Sequence, residues 1–194
     1  MNTSITRNII RFVFLVLVQI AIFNHINFLG YINPYPYILF IVLFPIGDNR
    51  GLLLFLSFLL GLSVDMFSNS GGMHAASCVT IAFLRPWILQ SIFGIAYEYN
   101  AVKISKAAFG ERLLYISILV FTHHLLLFFL ESFNFSDIIY ILKKTLFSGA
   151  FTILLCLLFL TLFSVKRKWE KFFFFQLFWF PVFYLPEDFS ICKY

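Results

Sequence analysis

The chain has 194 residues, 61% of them hydrophobic and only 12% charged, with a mean hydropathy of +0.93. A soluble globule of this length cannot hide so much apolar surface, so the composition excludes a soluble enzyme and predicts an integral membrane protein. The net charge of +5 would suggest nucleic acid in a soluble protein, but the basic residues flank apolar runs, so it reads as topology and no nucleic-acid partner is expected.

The spacing predicts an all-α, polytopic bundle of about six transmembrane helices. Arg7 and Arg11 precede an apolar run from Phe12 that continues to Leu29 without a small-x-small cleavage site, which predicts a retained first span. Asn33-Pro34-Tyr35-Pro36 breaks the chain, and Pro36 suits a first helical turn. A second run, Tyr37 to Gly47, carries Pro45. It is short for a span and must be thin, kinked or partly enclosed by protein. After the polar turn Asp48 to Gly51, the third span runs from Leu52 to Phe67, with Ser57 and Gly61 four apart. Such a small-xxx-small pair admits a close neighbour.

The fourth run, Met73 to about Ile92, bears Ala75, Ala76, Ser77, Cys78, Thr80 and Ala82 at one end, a packing surface rather than a lipid surface. At Arg85-Pro86 the arginine is expected to snorkel to an interface and the proline to bend the helix. Gly94 to Arg112 is a polar loop. The fifth span, Leu113 to Leu130, holds His123-His124 and ends at Glu131, and the sixth runs from Ile138 to Val165.

Six spans put both termini on one side. With that side cytoplasmic, every Lys and Arg falls inside except Lys143 and Lys144, a strong asymmetry by the positive-inside rule. Residues 1–168 form the membrane domain. The aromatic segment 169–194 reads as an interfacial or poorly ordered tail. Cys78, Cys156 and Cys192 are scattered and imply neither a disulfide framework nor a metal site.

The stretch Gly61 to Ala76, G-L-S-V-D-M-F-S-N-S-G-G-M-H-A-A, organises the rest. It sets Asp65 near the end of one apolar run and His74 at the start of the next. An ionised carboxylate in hydrocarbon costs several kcal/mol unless paired or hydrated, which makes Asp65 a functional candidate. The competing structural reading, which weighs more, is that Asp65 and His74 join two neighbouring helices.

Catalytic patterns are missing. There is no His-Glu-x-x-His, no Gly-x-Ser-x-Gly and no phosphate-binding loop. His123 and His124 point about 100° apart on a helix, a poor pair for one metal. The expectation is that one bonds a neighbouring helix while the other faces the periplasmic interface. Glu131, seven residues after His124, either pairs with it or marks the water interface. No catalytic residue, metal or cofactor is expected. The polar set Asp65, His74, His123, His124 and Glu131 lies toward the outer half of three spans, where it could line an outward-facing pocket or hold a bundle together.

Several motifs resemble the rod shape-determining MreD family of small bacterial inner-membrane proteins. They are Asn27 to Pro34, Gly61 to Ser68, Gly72-Met73-His74-Ala75-Ala76, Arg85-Pro86, and His123-His124 with Phe128 to Glu131. The last two are similar to Bacteroidetes-type members. The resemblance covers about Asn8 to Phe163. It implies a non-enzymatic component of the cell-elongation machinery, acting with an MreC-type membrane protein and indirectly with MreB, RodA and a penicillin-binding transpeptidase. Its residues Gly61, Asp65, Gly72, His74, Ala75, Arg85, His123, His124 and Glu131 would serve packing or partner contact. The family's fold is also similar to substrate-binding subunits of energy-coupling-class vitamin transporters, which gives the rival expectation: a small-molecule binding subunit with Asp65, His74 and Glu131 facing a cavity.

Overall fold

The structure, a computed structural model, describes residues 3–25, 32–94, 97, 104, 107–132 and 138–179, with side chains between residues 8 and 161. Among the described residues all regular structure is helical. Helix α1 is Thr3–Ala21, followed by a 3-10 turn at Phe23–His25. A second 3-10 turn, Pro36–Ile38, leads into the four-residue α2, Leu39–Val42. Then come α3, Arg50–Ser68; α4, Met73–Phe93; α5, Phe109–Ser132; and α6, Ile138–Trp179.

Among the described residues four helices are long and apolar enough to cross a membrane: α3, α4, α5 and the Ile138–Thr161 part of α6. Helix α1 adds a shorter apolar stretch, Asn8–Ala21. Large hydrophobic side chains such as Phe55, Phe83, Leu142 and Leu154 stand exposed along these helices. A continuous greasy exterior of this kind suits lipid and not water. The protein is therefore a multi-pass membrane protein.

The expected second span is not a span-length helix. Only Pro36 to Val42 is helical, and Tyr37 to Val42 are 0–1% exposed. The reason lies in the two ends of the segment. Asn33 and Tyr35 donate their backbone N–H groups to the hydroxyls of Ser148 (3.1 Å) and Thr152 (3.1 Å). At the other end the carbonyls of Val42, Leu43 and Phe44 accept from Tyr115, Arg11 and Arg85. A short helix inside a bundle satisfies its terminal carbonyls this way, and irregular backbone at membrane depth is tolerated where protein encloses it. Pro36 occupies the first turn, as its fixed φ favours.

Hydrogen bonds fix the directions of the elements. Arg11 reaches Leu43 and Gln19 reaches Pro34, so the segment 34–43 runs antiparallel to α1. Asn24 donates to Ser68 (3.0 Å), bringing the 3-10 turn after α1 to the last residue of α3. Helix α5 meets α4 antiparallel through Arg85 and Tyr115. Helix α6 meets α5 antiparallel through Thr152 with His124 and Lys144 with Glu131.

Arg85 departs from expectation. It is 4% exposed, donating through Nε to the Tyr115 hydroxyl (2.9 Å) and through its terminal nitrogen to the Phe44 carbonyl, instead of reaching an interface. A guanidinium with two oxygen acceptors in a low-dielectric interior is held more firmly than one extended to headgroups. Helix α4 continues through Pro86 to Phe93.

The chain forms two compact units, Met1–Leu157 and Leu158–Tyr194. In the second, the backbone is helical as far as Trp179. The tail beyond it, like the basic residues Lys166 to Lys168 as side chains, lies outside the described residues.

Candidate functional site

The α3–α4 joint is built from glycine and aspartate together. A Cβ placed on Gly61 would lie 2.5 Å from the Ala75 nitrogen and 2.6 Å from the His74 carbonyl carbon, so the two backbones are in direct contact there. Only hydrogen at position 61 permits this crossing. One turn later Asp65 uses the proximity. Its Oδ1 accepts from the His74 N–H (3.0 Å) and the Ser70 hydroxyl, and its Oδ2 accepts from the Ala75 N–H (2.8 Å). These are orphan N–H groups of the first turn of α4, where the helix dipole also favours negative charge. Asp65 is thus a cap supplied by the neighbouring helix.

The turn between the helices makes that geometry reachable. Asn69 ends α3 in the left-handed region (φ 53°), its N–H returning to the Asp65 carbonyl, and Gly71 and Gly72 follow at φ 61° and 93°. Three left-handed residues in four reverse the chain tightly enough to present His74 and Ala75 to the carboxylate. Asp65 and His74 are therefore brought together, but through a carboxylate and a backbone amide and not through the imidazole.

The His74 ring turns to a different neighbourhood. Its Nδ1 lies 2.7 Å from the Tyr37 hydroxyl, which lies 2.9 Å from Nε2 of His123. One phenol proton serves two imidazoles, so Tyr37 donates to one and accepts an N–H from the other. Either arrangement satisfies both contacts with neutral rings. His123 Nδ1 is buried without a hydrogen-bond partner, and the Cys78 sulfur stands 3.9 Å from its Nε2.

His124 is determined where His123 is not. Its Nδ1 is 2.9 Å from the Val120 carbonyl, which can only accept, so the proton of the neutral ring sits on Nδ1. Nε2 lies 3.1 Å from the Thr152 hydroxyl, whose one proton is shared between Nε2 and the Ser148 carbonyl (2.8 Å) and whose oxygen accepts the Tyr35 N–H. Both histidines are 0% exposed. The expectation that one of them faces an interface is corrected: Tyr35 and Tyr37, from the buried segment, occupy the space beside them. The Tyr35 ring packs at 5.0 Å from that of His74 and 5.4 Å from that of His124.

Glu131 pairs with Lys144 across α5 and α6 (2.8 Å) and not with His124, and its side chain is half exposed. Lys144 also sits 4.4 Å from the centre of the Phe128 ring, a cation–π contact that keeps the ammonium in place. Lys144 is a site residue that sequence reasoning missed. The available signal was a lysine on an apolar helix within one turn of the level of Glu131. Tyr37 and Tyr115 were missed too, being aromatic residues among many.

Beside Glu131 and His74 an open cavity of about 630 Å³ is lined by Asn24, Asn33, Tyr35 and Phe67, among others. Asp65 is not among the lining residues, so the expected trio of Asp65, His74 and Glu131 around one pocket reduces to His74 and Glu131. Among the described residues no group of three or more His, Cys, Asp or Glu side chains is placed to hold a metal. Cys78 and Cys156 are free and buried. The chain matches no family model, no curated protein and no solved structure.

Proposed function

We propose that the chain is a non-enzymatic, six-pass component of the bacterial inner (cytoplasmic) membrane, with both termini in the cytoplasm. In this reading it binds an MreC-type membrane protein and so helps direct lateral peptidoglycan synthesis and cell shape. The cytoskeletal MreB, RodA and a penicillin-binding transpeptidase are reached indirectly. The observation that supports it is the joint between α3 and α4. Of the residues that carry the resemblance to MreD, Gly61, Asp65, His74 and Ala75 form one continuous contact, and Gly72 supplies the turn that leads into it. Their common purpose is a rigid helix pair, which suits a platform for another membrane protein better than a reaction centre, since both Asp65 oxygens are already occupied.

In-cell photocrosslinking tests this from the exposed positions Phe55, Phe58, Phe83 and Trp87 on the two helices. A crosslinked MreC-type protein is the expected product, lost when Asp65→Ala opens the joint. Adducts with lipid alone, or undiminished partner recovery from a stably folded Asp65→Ala variant, would overturn the reading. Labelling that finds the two termini on opposite sides would overturn the topology.

A further inference from the structure

We propose that the cavity beside His74 and Glu131 is a binding site for a small polar molecule that is uncharged or positively charged and carries a flat ring. The proposal goes beyond the scaffold role and does not depend on it. The volume, about 630 Å³, falls in the range usual for small-molecule sites. Its walls combine the two features that hold such a molecule: amides and hydroxyls at Asn24, Asn33 and Ser68, and ring faces at Tyr35 and Phe67.

The sign of the ligand follows from the charges. Among the described residues no Lys or Arg lines the cavity, and the one formal charge on its wall is the Glu131 carboxylate. A phosphate or carboxylate would enter without the fork of donors that anion sites use, beside a carboxylate that already holds the nearby ammonium. The nearby cation, Lys144, is engaged by Glu131 Oε2 and by the Phe128 ring. The Glu131 side chain stays half exposed beside that pairing, so the carboxylate can also accept from a ligand N–H or O–H.

The interior holds the cavity in shape. Tyr35 is fixed by its backbone bond to Thr152 and by ring contacts with His74 and His124. His74 is fixed by the Tyr37 hydroxyl at Nδ1, which leaves Nε2 as the nitrogen available to a ligand. Side chains locked in this way lose little freedom on binding.

The test is a thermal-shift titration of the detergent-purified full chain with three matched pairs: cytidine and cytidine monophosphate, nicotinamide and nicotinate, benzylamine and benzoate. A saturable rise in Tm is expected with at least one neutral or cationic member and none with its anionic counterpart. Glu131→Gln should weaken that response about tenfold, as loss of a hydrogen bond to a charged acceptor does. Ser68→Trp, at an exposed position on the cavity wall, should abolish it while leaving the ligand-free Tm within a few degrees. A flat response to all six compounds, an equal response to the anions, or full binding by both variants would overturn the proposal. None of these outcomes bears on the crosslinking result, so the two readings fail separately.

Discussion

The two ends of the buried segment 33–44 are held by opposite strategies. At its Phe44 end, charge does the holding: Arg11 and Arg85 each donate to a carbonyl oxygen, and Tyr115 bridges Arg85 to Val42. Every contact there has one possible direction, because guanidinium only donates and carbonyl only accepts. At its Asn33 end the partners are neutral and reversible, with the Tyr37 proton shared between His74 and His123 and a buried nitrogen left over. The difference teaches where function has room to act. The arginine end has a single arrangement, whereas the histidine end has two and opens onto the cavity.

The comparison rests first on the α3–α4 joint, and the largest expected effect comes from breaking it. Gly61→Val forces a side chain into the Ala75 backbone, and no rotamer avoids a clash with main chain. Loss of folded protein after detergent extraction is expected, seen as aggregation on size-exclusion chromatography. A monodisperse Gly61→Val protein would show that the two backbones separate freely.

Next in size is the arginine end. Arg85→Met keeps the bulk of the stem but leaves the Phe44 carbonyl without its donor and removes the Nε donor from the Tyr115 hydroxyl. Orphaning buried groups costs ~1–3 kcal/mol each, so a Tm drop on the order of 10 °C is expected for a domain of this size. Lysine at position 85 should recover only part of it, because an ammonium lacks the fork that meets two acceptors in fixed directions.

The histidine end should be the most tolerant. Tyr37→Phe removes the shared proton and leaves His74 and His123 each short of one partner, yet neutral imidazoles can shift their protons to the other nitrogen. A cost of ~1–2 kcal/mol is expected, smaller than for Arg85→Met, read as the difference in Tm. If Tyr37→Phe proves as destabilising as Arg85→Met, the contrast between the two ends is lost.

The sequence by itself determined the membrane class, because composition and the lengths of apolar runs are one-dimensional properties that tertiary contacts do not alter. It also showed that Gly61, Asp65 and the turn after them belong together, since a helix-ending turn is local chemistry. Pro36 at a first turn and the small residues of α4 were legible for the same reason: Ala75, Ser77, Cys78 and Ala82 are all buried. Only the tertiary structure decided that Asp65 caps its neighbour with both oxygens, that Arg85 is sunk into the interior, and that Lys144 answers Glu131. Each of those depends on atoms from another element arriving within about 3 Å of a polar group, and no spacing along the chain encodes that arrival. The same holds for the segment Tyr37 to Val42. Its hydrophobicity reads identically for a membrane span and a protein core, and what separates the two is whether its backbone ends meet lipid or, as here, the hydroxyls and guanidinium groups of its neighbours.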